Sequence, residues 1–234
     1  MAQKKLERFA AIKTFENVLE YPMNMKGGWH VFFKNDNPVI LELACGRGEY
    51  TVGMAKLFSH QNFLGVDVKG NRMYIGAKKS LTENLVNAGF LRTQIEKLPD
   101  YFESGEITEI WITFPDPQLR ISKAKKRLTH PRFLRLYQQI LKPGGFIHLK
   151  TDSPDLYNFT KKVAELYGLI IVEDSDNIYA GSNIKQELTI KTHYESLDIA
   201  QSKKIHYLKF KLPAIIKDID ETLQEIIKAD EQPD

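Results

Sequence analysis

The chain has 234 residues, a formal net charge of +3, 42% hydrophobic residues and 27% charged ones. That balance excludes a disordered or fibrous chain and allows a full core in one domain. No apolar run is long enough to span a bilayer, and Met1-Ala2-Gln3-Lys4-Lys5-Leu6-Glu7-Arg8 lacks the apolar centre of a signal peptide, so a cytoplasmic protein without a membrane partner is expected. Cys45 is the sole cysteine and the six histidines form no metal-like pair on one helix face, so neither an internal disulfide nor a metal is expected.

Residues 1–35 read as a basic N-terminal arm. Phe15, Val18 and Leu19 give a weak amphipathic pattern that Pro22 and Gly27-Gly28 break, and a poorly ordered terminus is expected there. Lys4, Lys5, Arg8, Lys13 and Lys26 would let the arm touch nucleic acid. From residue 36 to 234 strands alternate with helices. Strands are predicted at Val39–Leu43, Phe63–Asp67, Phe90–Gln94, Ile110–Phe114, Phe146–Lys150, Leu169–Val172 and Leu208–Phe210. Helices are predicted at Glu49–Ser59, Asn71–Asn87, Pro131–Leu141, Pro154–Tyr167 and Ile215–Lys228. Such alternation implies an α/β, doubly wound, Rossmann-like sheet of seven strands, mostly parallel.

In such a sheet a ligand lies beyond the carboxyl ends of the strands, where strand order reverses. The first strand carries Glu42 into a turn at Gly46-Arg47-Gly48, and the second ends in Asp67, an acid whose two oxygens can accept both hydroxyls of a ribose. This pattern fits a dinucleotide or S-adenosylmethionine. Two details favour S-adenosylmethionine: Thr51 stands where a dinucleotide fingerprint has its third glycine, and Glu42 suits a cationic amino group and sulfonium better than a pyrophosphate. Cys45, in the same turn, reads as a small buried filler with nothing nearby to activate it.

The fourth strand ends in Phe114-Pro115-Asp116-Pro117, where two prolines stop the strand and hold one carboxylate in a stiff backbone. Seven basic residues follow between Arg120 and Arg135 without an acid among them, the footprint of a phosphate-binding face. Lys123, Lys125, Lys126 and Arg127 are the candidates for gripping phosphates; the plainer alternative is a solvated basic face on which Asp116 only balances charge.

Taken together, Leu41-Glu42-Leu43-Ala44-Cys45-Gly46-Arg47-Gly48, Phe114-Pro115-Asp116-Pro117, Lys126-Arg127-Leu128-Thr129, Leu141-Lys142-Pro143-Gly144-Gly145, Lys150-Thr151-Asp152 and Thr192-His193-Tyr194-Glu195 resemble the motifs of the bacterial tRNA (guanine-N7)-methyltransferases. Members of that family modify the guanosine at position 46 in the variable loop of tRNA. The similarity covers about residues 25 to 212. It implies a class I methyltransferase fold and S-adenosylmethionine contacts from Glu42, Gly46, Gly48, Asp67 and Asp116, with Asp116 the catalytic residue. Substrate contacts are implied for Arg120, Asp152, Thr192, Tyr194 and Glu195, with tRNA as partner; monomer and homodimer are both open. Two departures stand out. Gln94-Ile95 replaces the family's acid and alanine at the end of the third strand, and a glutamine amide oxygen can accept the same hydrogen bond from an adenine amino group. Gln118-Leu119-Arg120 replaces a tryptophan-containing run that ends in lysine. Action on another RNA or a small molecule, a non-catalytic RNA-binding protein of this fold, and a nicotinamide dehydrogenase are the alternatives.

Overall fold

Val39–Leu43 is buried at every position, as a central parallel strand covered on both faces must be. The computed structural model describes residues 2–197, 201 and 203–229. Its strands are β1 (Val18–Glu20), β2 (Val39–Leu43), β3 (Asn62–Asp67), β4 (Ala88–Arg92), β5 (Ile107–Thr113), β6 (Leu141–Thr151), β7 (Ile170–Ser175) and β8 (His206–Lys211). They form one sheet in the order β1-β4-β3-β2-β5-β6-β8-β7. Pairing from β1 through β6 is parallel, β8 runs antiparallel to β6, and β7 antiparallel to β8. All seven expected strands are present, and β1 is an eighth. It is three residues long, too short to show a period, and it forms because the open edge of β4 takes Val18 beside Phe90.

The helices are α1 (Ala2–Ile12), α2 (Trp29–Phe33), α3 (Glu49–Leu57), α4 (Gly70–Thr82), α5 (Leu98–Tyr101), α6 (Pro131–Ile140), α7 (Pro154–Tyr167) and α8 (Asp220–Ala229). Alternation along the strands sorts the core into two faces. Leu41, Leu43, Leu64, Val66, Ile110 and Ile112 pack with Phe133, Leu134, Leu156 and Val163 of α6 and α7. Ile40, Phe63 and Trp111 pack on the other side with Tyr50 and Met54 of α3. Local punctuation fixes α7: Ser153 caps its amino end by accepting from Leu156 N, Pro154 opens it, and Gly168 closes it with φ 70°.

The amino-terminal segment folds onto this frame, unlike the poorly ordered terminus expected from its weak pattern. Ile12 is fully buried among Met73, Ala77 and Val18, and Asn17 Nδ2 donates to Ala77 O at 3.1 Å and to Ser80 Oγ at 2.7 Å. Trp29 and Phe33 join the main core. Two apolar side chains of α1, packed on small residues of α4, hold it where periodicity over so few turns gives little signal. Helix α4 stops earlier than expected, with Asn84 left-handed at φ 53°.

Strand order reverses at β2, because β3 and β4 lie on one side of it and β5 and β6 on the other. The crevice beyond the carboxyl ends of β2 and β5 is therefore where a ligand belongs.

Candidate functional site

The chain leaves β2 through Ala44 and Gly46, each with φ 56°, and enters α3 through Gly48 with φ 69°. The two glycines do different work. A Cβ on Gly48 would stand 2.4 Å from the Phe90 ring, so Gly48 permits close packing of the turn on β4; a Cβ on Gly46 would come nearest to Tyr194, at an ordinary 3.4 Å, on the open side. Gly46 N donates to Asp67 Oδ2 at 3.0 Å and Lys69 N to Asp67 Oδ1 at 2.8 Å, which fixes that carboxylate at the end of β3.

Glu42 lies behind this turn. It is 5% exposed and does not line the cleft, in contrast to the cofactor contact expected of it. Its Oε2 accepts from Thr51 N at 2.8 Å and from the Thr51 hydroxyl at 2.5 Å, and its Oε1 accepts from the Thr113 hydroxyl at 2.6 Å. Glu42 thus ties β2 to the first turn of α3 and to the end of β5. Burial pushes its pKa up to about 7 against the pull of those hydrogen bonds. Burial, with Glu42 and Asp67 adding to it, also raises the Cys45 thiol well above its usual pKa, which leaves it inert.

Strand β5 ends one residue before the sequence suggested, because Phe114 turns left-handed at φ 45°. Pro115 is buried, Asp116 is exposed, and Asp116 Oδ1 accepts from Gln118 N at 3.0 Å, with Gln118 itself at φ 49°. The bracket is held from below. Arg127, grouped by sequence with the phosphate-binding lysines, is 5% exposed: its Nε lies 3.2 Å from Pro117 O and 3.3 Å from Gln118 O, and its Nη2 lies 3.3 Å from Leu119 O. Its guanidinium stacks 4.5 Å from the Phe159 ring centroid. Two further cations of the basic run are also engaged within the protein, Arg132 with Glu96 at 2.8 Å and Arg135 with Asp220 at 2.7 Å. Arg120, Lys123, Lys125 and Lys126 remain exposed, and of these Lys126 reaches the cleft wall.

Asp152 follows β6 and lines the same cleft; the cap of α7 is its neighbour Ser153. In the later segment, Thr192 is buried and its hydroxyl accepts from Glu195 N at 3.2 Å. Glu195 pairs with Lys150 at 2.9 Å and accepts from the Tyr179 hydroxyl. Tyr194 alone of that run lines the cleft, where its hydroxyl accepts from Arg72 Nη1 at 2.6 Å. Thr192 and Glu195 therefore hold the segment down while Tyr194 faces the ligand space.

The cleft so built has a volume of about 1050 Å³. Gly46, Asp67 and Gln94 line one half, and Asp116, Asp152 and Lys126 the other. Sequence reasoning missed Lys69, Arg72 and Glu96 in its wall, and took Arg132 only as part of the basic run. The first turn of α4, directly after the acid at the end of β3, was the available signal for Lys69 and Arg72. Among the described residues no three His, Cys, Asp or Glu side chains gather as a metal site would, and no helix is long and apolar enough to cross a membrane.

Residues 36–208 match the family described as putative methyltransferase. A tRNA (guanine-N(7)-)-methyltransferase of Porphyromonas gingivalis is 49% identical over 213 residues, covering 86% of this chain and 86% of that protein. The chain belongs to the tRNA (guanine-N(7)-)-methyltransferase family. Family members from Bacteroides thetaiotaomicron and Cytophaga hutchinsonii are 45% and 40% identical, covering 91% and 90% of this chain and 87% and 98% of theirs. Among solved structures, the 16S rRNA methyltransferase KamB superposes with a TM-score of 0.60 at 15% identity, over 80% of this chain and 94% of that one. A 30S ribosomal A1408 methyltransferase from an uncultured bacterium gives 0.56 at 19% identity, over 80% and 93%. These likenesses show a class I methyltransferase fold.

The methyl donor of this tRNA (guanine-N(7)-)-methyltransferase family is S-adenosylmethionine, and the Gly46–Asp67 half of the cleft fits it. Each Asp67 oxygen takes one backbone N–H and keeps capacity to accept from one ribose hydroxyl. Gly46 presents no side chain to the space beside Tyr194, and the Gln94 amide can serve an adenine amino group.

Proposed function

We propose that this protein transfers a methyl group from S-adenosylmethionine to N7 of guanosine at position 46 in the variable loop of tRNA, acting in the cytoplasm as a monomer or homodimer. The observation that carries the reading is the convergence of Asp116 and Asp152, from the carboxyl ends of adjacent strands β5 and β6, on the cleft that Gly46 and Asp67 also line. Relatives named tRNA (guanine-N(7)-)-methyltransferase over most of the chain support methylation of a tRNA guanine at N7.

S-adenosylmethionine, when bound, supplies a methyl group on a sulfonium. Guanine N7 carries an in-plane lone pair and no proton, so no side chain has to act as a general base. What the chain must do is hold the base in line, an effect that contributes about 7 to 11 kcal/mol in favourable cases. Asp116 and Asp152 can accept from the N1 and N2 protons of guanine, and their charge favours the purine as it becomes cationic. Asp116 is well placed for this because Phe114, Gln118 and Arg127 fix the backbone around it. Tyr194, held by Arg72, closes the space beside Gly46. Arg120, Lys123, Lys125 and Lys126, exposed at and beyond the rim, are positioned for tRNA phosphates.

Incubating the protein with labelled S-adenosylmethionine and unmodified tRNA, followed by nucleoside analysis, tests the reading. Label should appear in 7-methylguanosine, and in Asp116→Asn, which keeps the acceptor for Gln118 N, the rate should fall about 10²-fold. Label in another nucleoside, or an unaltered rate in the variant, would refute the corresponding part.

A further inference from the structure

The basic residues after β5 occupy one side of the cleft. On the other side, α1 and α4 bring together a second set of cations that no motif of the family identifies. Contacts between these helices advance in the same sense along both: Phe9 lies against Gly70, where a Cβ would come within 3.3 Å of its ring, and Asn17, just beyond α1, bonds to Ala77 and Ser80. Helix α1 therefore runs alongside α4 in the same direction. Because α4 begins directly after β3, the first turns of α1, with exposed Lys5, project past the carboxyl edge of the sheet, where the cleft opens. Lys69 and Arg72, at the start of α4, already line that cleft.

The cations of this face stand outside the ion pairs of the fold. Arg8 and Lys78 both stand over the ring of Tyr74, at 5.6 and 5.9 Å from its centroid. Among the described residues, no carboxylate forms an ion pair with Lys5, Arg8, Lys69, Arg72 or Lys78. By contrast, Lys56 is paired with Glu83 and Lys161 with Asp174. Like charges gathered on one face without ion-pair partners repel one another, and a polyanion relieves that repulsion.

We propose that the α1–α4 face is a second phosphate-binding bank, which holds the sugar–phosphate backbone on the side of the target guanine opposite the strand that Lys123 to Lys126 grip. This rests on the reading of tRNA as substrate and adds the surface that orients it. A nucleic acid laid across the cleft, with one base turned inward, presents phosphates to both banks at once. The Tyr74 ring, which both Arg8 and Lys78 approach, restrains the two cations, so less side-chain entropy is lost when a phosphate arrives.

The test is tRNA binding by the full chain carrying Lys5→Gln and Lys78→Gln, which keep side-chain length and leave Asp116, Asp152 and the cleft wall untouched. Dissociation constants are measured across a salt series, with S-adenosylmethionine affinity and melting temperature as checks on the fold. Expected are a roughly tenfold weaker tRNA complex near 0.1 M salt and a slope of log K against log salt shallower by about 1.5, since each lost phosphate contact removes about 0.7 to 0.9. Backbone footprinting of wild-type complexes should show two separated protected stretches, one of them lost in the variant. Wild-type affinity and slope in the variant, with wild-type protein still forming 7-methylguanosine, would overturn the second bank alone. A wild-type protein that neither binds nor methylates tRNA would instead overturn the functional reading on which the bank depends.

Discussion

The Lys150 ammonium lies 2.9 Å from a Glu195 carboxylate oxygen, with the lysine side chain wholly withdrawn from solvent and the glutamate nearly so. Lys150 also donates to Leu188 O at 2.8 Å and Ile190 O at 2.9 Å, so one cation at the end of β6 pins the segment that carries Tyr194 over the cleft. Burial pulls the Lys150 pKa below the usual lysine value and Glu195 opposes that pull. Removing one partner leaves an uncompensated buried charge, at about 3 to 5 kcal/mol. Glu195→Ala should therefore lower stability in chemical denaturation by roughly that amount and open residues 186–197 to protease. Adding Lys150→Met should recover part of the loss; strictly additive losses would show that the pair is not coupled.

Arg127 holds the backbone of Pro117–Leu119, next to Asp116, through three carbonyls. A guanidinium presents several donors in a planar fork, whereas a lysine ammonium is a compact point donor that cannot span three carbonyls. Arg127→Lys should leave S-adenosylmethionine affinity intact and lower kcat by about ten- to a hundredfold, because a misplacement of an ångström at the reacting centre has that effect. Guanidinium ion added to Arg127→Gly should restore part of kcat. A full kcat in Arg127→Lys would mean that Pro115, Pro117 and the Asp116–Gln118 hydrogen bond support the bracket unaided.

These two cations show where the sequence was legible and where it was not. Strand β2, the glycine turn and α7 could be read because local rules agree there: an unbroken apolar run, residues suited to positive φ, and a Ser-Pro start with a Gly stop. The sequence places Arg127 beside Lys126 and cannot show that these neighbours, at the end of a short 3₁₀ segment, face opposite ways, one into the protein and one toward the cleft. Glu195 and Lys150 are 45 residues apart, and only the docking of the later segment on β6 joins them. Arg72 and Tyr194, separated by 122 residues, meet for the same reason. Composition gave the basic run one meaning, whereas the fold divides it between exposed cations and partners of Glu96, Asp220 and the Asp116 bracket.

Glu42 makes stability depend on pH in a direction opposite to that of a salt-bridged acid. Its pKa rises from 4.5 to about 7 on folding, so between those values the folded chain binds more protons than the unfolded one. Stability from this group is fully present below about pH 4.5, falls as pH rises toward 7, and is level above it. The loss is on the order of 3 kcal/mol. Glu42→Gln keeps an acceptor for Thr51 N and a donor for Thr113 but cannot ionise. Subtracting variant from wild-type unfolding free energies across pH should reveal the slope. Parallel curves would mean that Glu42 ionises in the fold as it does in the unfolded chain.

Gly46 and Gly48 share one turn and left-handed backbones, yet alanine at each should fail differently. At Gly48 a methyl group would lie 2.4 Å from one Phe90 ring carbon and 2.9 Å from the next, with the Gly76 backbone at 3.4 Å. There is no room to relax without moving α3 off β4, so Gly48→Ala should destabilise the fold by several kcal/mol, on the order of an overpacked core plus a strained φ. At Gly46 the nearest atoms are Tyr194 Cε2 at 3.4 Å and Ala44 O at 3.9 Å, both ordinary contacts. Gly46→Ala should therefore lower stability by only about 1 to 2 kcal/mol, the strain of a left-handed alanine. Its main effect should be on the ligand side, where a methyl group intrudes on the space shared with Tyr194, and S-adenosylmethionine affinity should fall about tenfold or more while the melting curve stays cooperative. Calorimetric titration beside thermal melts separates the two outcomes. If Gly46→Ala binds the methyl donor as tightly as wild type, the donor does not lie against this turn.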